Sequence, residues 1–213
     1  MNRAPSGWLF VAALGLGGCS DSRAGFGGAL GETGGTSVAA EDPSDFGVVP
    51  GFELVSETGS TVHLADLTGR PFVAAAIFTT CYGPCPRITS GMHRLQEELA
   101  DTDVRFVSVS VDPEHDTPEV LGAYAKEAGA DPERWLFLTG ERGSVERFLC
   151  EGLWLGVERA KSGEAVLGDS ITHSTRLVAV DREGRLRGWY DGEDPLELER
   201  LRDRMRFLSR EGR

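Results

Sequence analysis

The residues of this 213-residue chain best suited to soft-metal or redox chemistry are its four cysteines, and two of them stand close together. The segment reads Phe78-Thr79-Thr80-Cys81-Tyr82-Gly83-Pro84-Cys85-Pro86. Two thiols so near each other can close a disulfide or, as thiolates, clamp a soft metal ion. The three residues between them exceed the two-residue spacing of dithiol oxidoreductases, and the wider loop gives an ion more room. A static disulfide is the plain structural alternative, but closing so small a loop stabilises little through chain entropy. Pro86 suits the first position of a helix because its fixed φ is already helical. Cys85 then lies at or near the helix cap, with Cys81 in the loop before it. The partial positive charge and free N–H groups of a helix amino end favour the thiolate.

The flanking pattern supplies elements to hold such a pair. Residues 72–78 form a continuous apolar run with Val and Ile, the signature of a strand buried on both faces. After the cysteines, Ile88, Met92, Leu95 and Leu99 recur on one face of a helix. Residues 52–55 and 61–64 read as a hairpin, 104–111 as a second buried strand, 118–128 as a helix, 135–138 as a short strand and 145–153 as a helix. Two strands at 175–181 and 185–190 surround a turn at Arg182-Glu183-Gly184, and a charged helix closes the chain from Pro195. This order predicts an α/β sandwich of the thioredoxin kind, a central mixed sheet flanked by helices with an N-terminal β-hairpin. About 165 residues suffice for one core.

The amino end reads as an export signal. Arg3 gives a short basic region, residues 8–16 are apolar, and Leu16-Gly17-Gly18-Cys19 resembles the bacterial lipobox, where cleavage precedes acylation of the cysteine thiol. An ordinary secretory signal is the alternative, and export follows either way. The expected organisation is a signal peptide at 1–18, a flexible tether rich in Gly, Ser and acids at 19–46, and a folded domain at 47–213. The tether composition cannot bury enough apolar area to offset its ordering entropy.

Composition narrows the function. Lys and Arg total 22 against 34 Asp and Glu, a net charge of −12 that becomes −13 once Arg3 leaves with the signal. Such a chain lacks the basic footprint of nucleic-acid binding. No apolar run reaches the ~18 residues of a spanning helix. A phosphate-cradling glycine loop and a metalloprotease HExxH are also missing from the sequence.

The cysteine segment resembles the copper-site segment of the Sco/SenC family, thioredoxin-fold copper-binding assembly factors. Val109-Ser110-Val111-Asp112-Pro113-Glu114-His115-Asp116-Thr117-Pro118 is similar to the segment that follows that family's second core strand. Thr172-His173-Ser174, leading into residues 175–181, is similar to its histidine motif. The likeness spans roughly residues 48–208. It implies that Cys81, Cys85 and His173 are the metal ligands, with Cys81 and Cys85 also a redox pair. Two thiolates and an imidazole make a compact trigonal set for Cu(I), and a further oxygen would complete a tetragonal Cu(II) site. Thioredoxin-like redox enzymes place a cis-proline where this chain has Thr172-His173-Ser174, which favours metal binding over thiol exchange. The chain departs from the family in lacking an acidic residue within Tyr82-Gly83-Pro84 and at Thr172; Asp169 is nearby. That weakens Cu(II) binding more than Cu(I).

The resemblance therefore implies a lipid-anchored copper chaperone of the bacterial cell envelope, facing the periplasm or cell exterior. Its partner would be the copper-bearing subunit of cytochrome c oxidase or another periplasmic copper protein. Membrane contact would come through the lipid on Cys19. The main alternative is a thiol–disulfide oxidoreductase in which Cys81 attacks and Cys85 resolves; a peroxidase and a copper or redox sensor are the others. Asp112 is a candidate to support the ligands, or an exposed strand-end carboxylate. His63, His93 and His115 read as surface residues, Cys150 as a buried small hydrophobe, and Asp191, Glu193 and Asp194 as part of a solvated final-helix face.

Overall fold

A computed structural model describes residues 45–159 and 171–211. Among the described residues the first strands are β1 (Glu53–Ser56) and β2 (Thr61–His63), which pair antiparallel with Leu54 opposite Val62. A single turn of helix, α1 (Leu64–Leu67), follows directly. Then come β3 (Phe72–Ile77), α2 (Cys85–Glu98), β4 (Arg105–Ser110), α3 (Pro118–Glu127) and β5 (Trp135–Thr139). All six side chains of β3 are buried, which is why its sequence is continuously apolar rather than alternating. After α4 (Arg142–Arg147) and a π-helical turn (Phe148–Gly152) lie β6 (Val157–Arg159), β7 (Ile171–His173), β8 (Arg176–Val180), β9 (Leu186–Asp191) and α5 (Pro195–Arg210).

Among the described residues, seven strands form one mixed sheet in the order β2-β1-β5-β4-β3-β8-β9, while β6 and β7 pair apart from it. β3 sits centrally, parallel to β4 and antiparallel to β8. The steps β3 to β4 to β5 run in one direction across the sheet, so right-handed crossovers put α2 and α3 on the same face. The Thr89 and Tyr124 hydroxyls meet between these helices at 2.8 Å. On its other flank α2 packs against α5, where a Cβ on Gly91 would lie 3.2 Å from the Leu198 side chain. Ile88, Met92, Leu95 and Leu99 are all buried, the stripe that fixes how α2 rotates and hence where Cys85 points. Burying side chains of this size contributes about 1.5–3 kcal/mol each. Among the described residues no helix is long and apolar enough to cross a membrane.

Four local expectations change. The region read as one helix at 145–153 is α4 followed by the π-helical turn. Within it Val145, Phe148, Leu149 and Gly152 fill the inward stripe, and Cys150, on the opposite side of the turn, is exposed rather than core. Asp45 and Phe46 already belong to the folded body: Asp45 pairs with Arg185 at 2.7 Å, and the Phe46 ring meets Trp189 edge-on at 4.8 Å. Asp191, Glu193 and Asp194 are solvent-exposed as expected but precede the final helix instead of lying on it. Asp191 ends β9, Glu193 reaches Arg87 at 2.6 Å, and the Asp194 carboxylate caps α5 by accepting from the Leu196 N–H at 2.9 Å.

Candidate metal centre

The carboxyl end of β3 delivers the chain into the cysteine loop. Phe78 is still buried, Thr79 half-buried and Thr80 exposed, and the Cys81 N–H turns back to the Phe78 carbonyl at 3.3 Å. Helix α2 begins one residue earlier than expected, with Cys85 its first residue and Pro84 its cap. A proline in the first turn still suits this start, because the amide it lacks would have no partner there.

His173 arrives from a part of the chain 88 residues away from Cys85. It ends β7, whose pairing partner β6 places Val157 opposite it. The Ser174 N–H donates to the Gly156 carbonyl at 3.0 Å, locking the turn out of this ribbon. Just upstream, Trp154 adopts a left-handed φ of 55° and stacks on Trp189 with ring centroids 5.2 Å apart. The sequence puts His173 just ahead of the strand expected at 175–181. The structure gives it a short strand of its own, too brief to leave a periodic signal.

Cys81, Cys85 and His173 converge: one ligand atom from each lies within 4.8 Å of the other two. Their exposures are 8%, 1% and 8%, so the site is withdrawn from water. Cys85 Sγ lies 3.1 Å from His173 Nε2. His173 Nδ1 lies 2.9 Å from the Ser174 carbonyl oxygen and therefore donates to it, leaving the Nε2 lone pair turned towards the cysteines. The Phe78 ring meets the imidazole edge-on at 5.6 Å and walls off that side. A cavity of about 200 Å³, lined by Phe78, Cys81, Pro84, Ile171, Thr172 and His173, opens onto the group. Cys85 does not line it. An incoming species meets Cys81 and His173 first and Cys85 behind them.

All three cysteines described are free thiols. Burial, together with the Cys81 thiol beside it, pushes Cys85 up to about 12. The expected preference of Cys85 for the thiolate is therefore overturned in the metal-free protein, because loss of water outweighs the helix amino end. Burial also pulls His173 below its ordinary value, with the Ser174 carbonyl opposing only in part. A neutral thiol and a neutral imidazole are what a cation would find there. Binding a soft cation to them replaces the thiol proton with a charge that the sulfur can share.

The other candidates lie elsewhere. His63 is exposed at the cap of α1, and His115 is exposed in the loop after β4. His93 is half-buried on α2, 3.7 Å from Glu97 and against Gly129. Asp112 acts through its backbone, its N–H bonding Ser110 Oγ at 3.0 Å and its carbonyl accepting from Asp116. The carboxylate that does reach the cysteine segment is Asp116, which the sequence reading passed over. It is wholly buried and receives Thr79 and Ser110. The available signal is its position, the acid immediately before the Thr117-Pro118 helix start. Cys19 and Asp169 lie outside the described residues.

Comparison with known proteins agrees with this geometry. The sequence model described as SCO1/SenC matches residues 40–206. A SCO1 protein homolog of Bacillus subtilis is 32% identical over 155 residues, which is 71% of this chain and 77% of the relative. The solved structure of BsSco is described as a member of the Sco family of cytochrome c oxidase assembly proteins with a disulfide switch. It superposes with a TM-score of 0.66 at 29% identity, over 79% of this chain and 96% of its own. Bradyrhizobium japonicum ScoI, solved with copper bound, shares the fold at a TM-score of 0.60 and 22% identity, over 76% of this chain and 99% of its own. The family match covers well over half the sequence and takes in all three converging residues, and on that ground the chain belongs to the SCO1/SenC family.

Proposed function

We propose that this protein is a lipid-anchored copper chaperone of the bacterial cell envelope that supplies copper for assembly of cytochrome c oxidase. The observation that carries the reading is the meeting of Cys81, Cys85 and His173 within 4.8 Å, two sulfurs and one imidazole nitrogen in a nearly dry pocket. That donor set suits Cu(I), which accepts two or three soft ligands and needs no water. Copper is cargo here. Loading exchanges thiol protons for the ion, and delivery reverses the exchange as the acceptor's thiolates displace the chaperone's ligands one at a time. Cys81 and His173, which line the opening, are the ligands an acceptor reaches first. Only the dithiol form can carry the ion, since a disulfide offers no thiolate. The oxidase as destination rests on family membership and on the described role of BsSco.

Anaerobic Cu(I) titration of the reduced protein tests the site. One ion per chain in the wild type, lost in Cys81→Ser, Cys85→Ser and His173→Ala, supports it. Stoichiometric binding retained in all three variants overturns it. The anchor has its own test: Cys19→Ser is expected to move the protein from the membrane fraction to the soluble exported fraction, and unchanged membrane retention would refute acylation at Cys19.

A second reading, thiol–disulfide exchange with an exported partner, draws on the proximity of two free thiols of unequal access. Cys81 is the accessible attacker, while Cys85 has the raised pKa of a poor leaving group. Under this reading His173→Ala keeps disulfide reductase activity; under the chaperone reading it loses copper.

A further inference from the structure

The β3–β4 ladder stops at the point where the metal site begins. Its last paired residues are Ile77 and Ser110, followed by one more bond from the Val111 N–H to the Ile77 carbonyl at 2.8 Å. Beyond that the strands part, and the Thr79 amide, two residues before Cys81, has no strand left to bond. A buried side chain takes over. Asp116 Oδ2 accepts the Thr79 N–H at 3.1 Å, and Oδ1 accepts the Thr79 hydroxyl at 2.5 Å. Oδ2 also accepts the Ser110 hydroxyl at 2.5 Å, while Ser110 Oγ accepts from the Asp112 N–H at 3.0 Å. Asp116 is 0% exposed, and its own N–H is held by the Asp112 carbonyl at 2.8 Å.

We propose that Asp116 is the positioning residue of the metal site: its carboxylate clamps Thr79 to the end of β4 and so fixes where Cys81 stands relative to Cys85 and His173. This rests on the metal-binding reading above. Three donors converge on this one buried carboxylate, and hydrogen bonds to a charged acceptor are stronger and shorter than neutral ones. Removing the clamp leaves the Thr79 amide without a partner, and the loop then relaxes to find one. Cys85 is held independently by α2, so the relaxation falls on Cys81. A preorganised site avoids that ordering cost when the ion arrives.

The test is Cu(I) affinity of reduced, full-length protein, measured anaerobically by competition with a chromophoric Cu(I) chelator alongside the urea midpoint of each metal-free sample. Asp116→Ala is expected to weaken binding about 10–100-fold, the usual cost of losing a group that orients a ligand. Asp116→Asn keeps an oxygen for the Thr79 amide and presents its NH2 to the Thr79 hydroxyl, which can turn to accept. It is expected to restore affinity to within about threefold of wild type. A purely architectural role gives a different pattern, a lower urea midpoint with wild-type affinity in the folded fraction, and that result overturns the proposal. Should Asp116→Ala fail to fold, Thr79→Val removes one bond from the same clamp: a loss of threefold or more supports the clamp, and a smaller one rejects it. A wild-type protein that binds no Cu(I) would refute the functional reading instead. The clamp then stands or falls on oxidation in glutathione buffer, where one Cys81–Cys85 S–S bond forms as glutathione disulfide is reduced to two thiols. Asp116→Ala is expected to shift that equilibrium at least threefold, and an unchanged equilibrium rejects it.

Discussion

His173 Nδ1 donates to the Ser174 carbonyl 2.9 Å away, and because a carbonyl can only accept, this one bond decides which nitrogen faces Cys85. The Cys85 thiol then donates to His173 Nε2 across 3.1 Å. The two ligands satisfy each other until a cation displaces the shared proton.

The imidazole is therefore expected to be the Nδ1–H tautomer in nitrogen NMR spectra of the metal-free protein. Its protonation midpoint should fall below the ordinary 6.5, since burial disfavours the cation. With the folded value depressed, the contribution of His173 to stability is present above pH 6.5 and is lost as pH falls through the folded value. A midpoint above 6.5, or an Nε2–H tautomer, contradicts this arrangement.

Cys85 gives the opposite slope. Its thiol is raised from 9.0 to about 12, so its contribution to stability is complete below pH 9 and is lost as pH rises towards 12. Copper uptake at neutral pH must expel the Cys85 proton, and apparent affinity is expected to rise about tenfold per pH unit for each proton released. Unbuffered titration with a pH electrode measures the release directly. Uptake without acidification would mean that Cys85 is not a ligand.

Ile88 lies on α2 just beyond Cys85 and is 1% exposed beneath the site. Ile88→Ala is expected to cost about 2–5 kcal/mol in urea unfolding, the range for deleting a large buried aliphatic side chain. A cost under 1 kcal/mol would show that the helix face is not packed as described.

Cys150→Ser is expected to change stability by less than about 0.5 kcal/mol and leave copper stoichiometry untouched, because Cys150 is exposed on the outer side of the π-helical turn. It should also abolish any disulfide-linked dimer seen on non-reducing gels after air oxidation. A large loss of stability would restore the core assignment.

Much of the fold was legible in the residues because its central elements are long and strongly patterned. The unbroken apolar run that becomes β3 and the Ile88-Met92-Leu95-Leu99 stripe of α2 leave little choice of period. Cys81 and Cys85 could be picked out by spacing, and His173 only through the family motif, since three-residue strands such as β6 and β7 carry no period at all. The apolar neighbourhood of Cys150 suggests an inward position, but the helical count from Val145 turns it outward. The thiolate preference of Cys85 failed for a different reason. A helix amino end can be read from Pro86, but the extent of desolvation depends on Phe78, Ile171 and the other walls that only the folded chain assembles. Asp116 belongs to the same class, since its value lies in where the β3–β4 ladder stops.

The separation of 88 positions between Cys85 and His173 also ties metal binding to folding. An unfolded chain keeps its two thiols in register, because they are near neighbours, but it presents no imidazole to them. The third donor joins only when β8 has paired with β3, a strongly non-local contact, and the shorter-range β6–β7 ribbon before it has closed. Copper therefore binds the native state in preference to the unfolded one and raises its stability by mass action. The full donor set assembles only when the long-range β3–β8 pairing is in place, which makes loading a readout of folding.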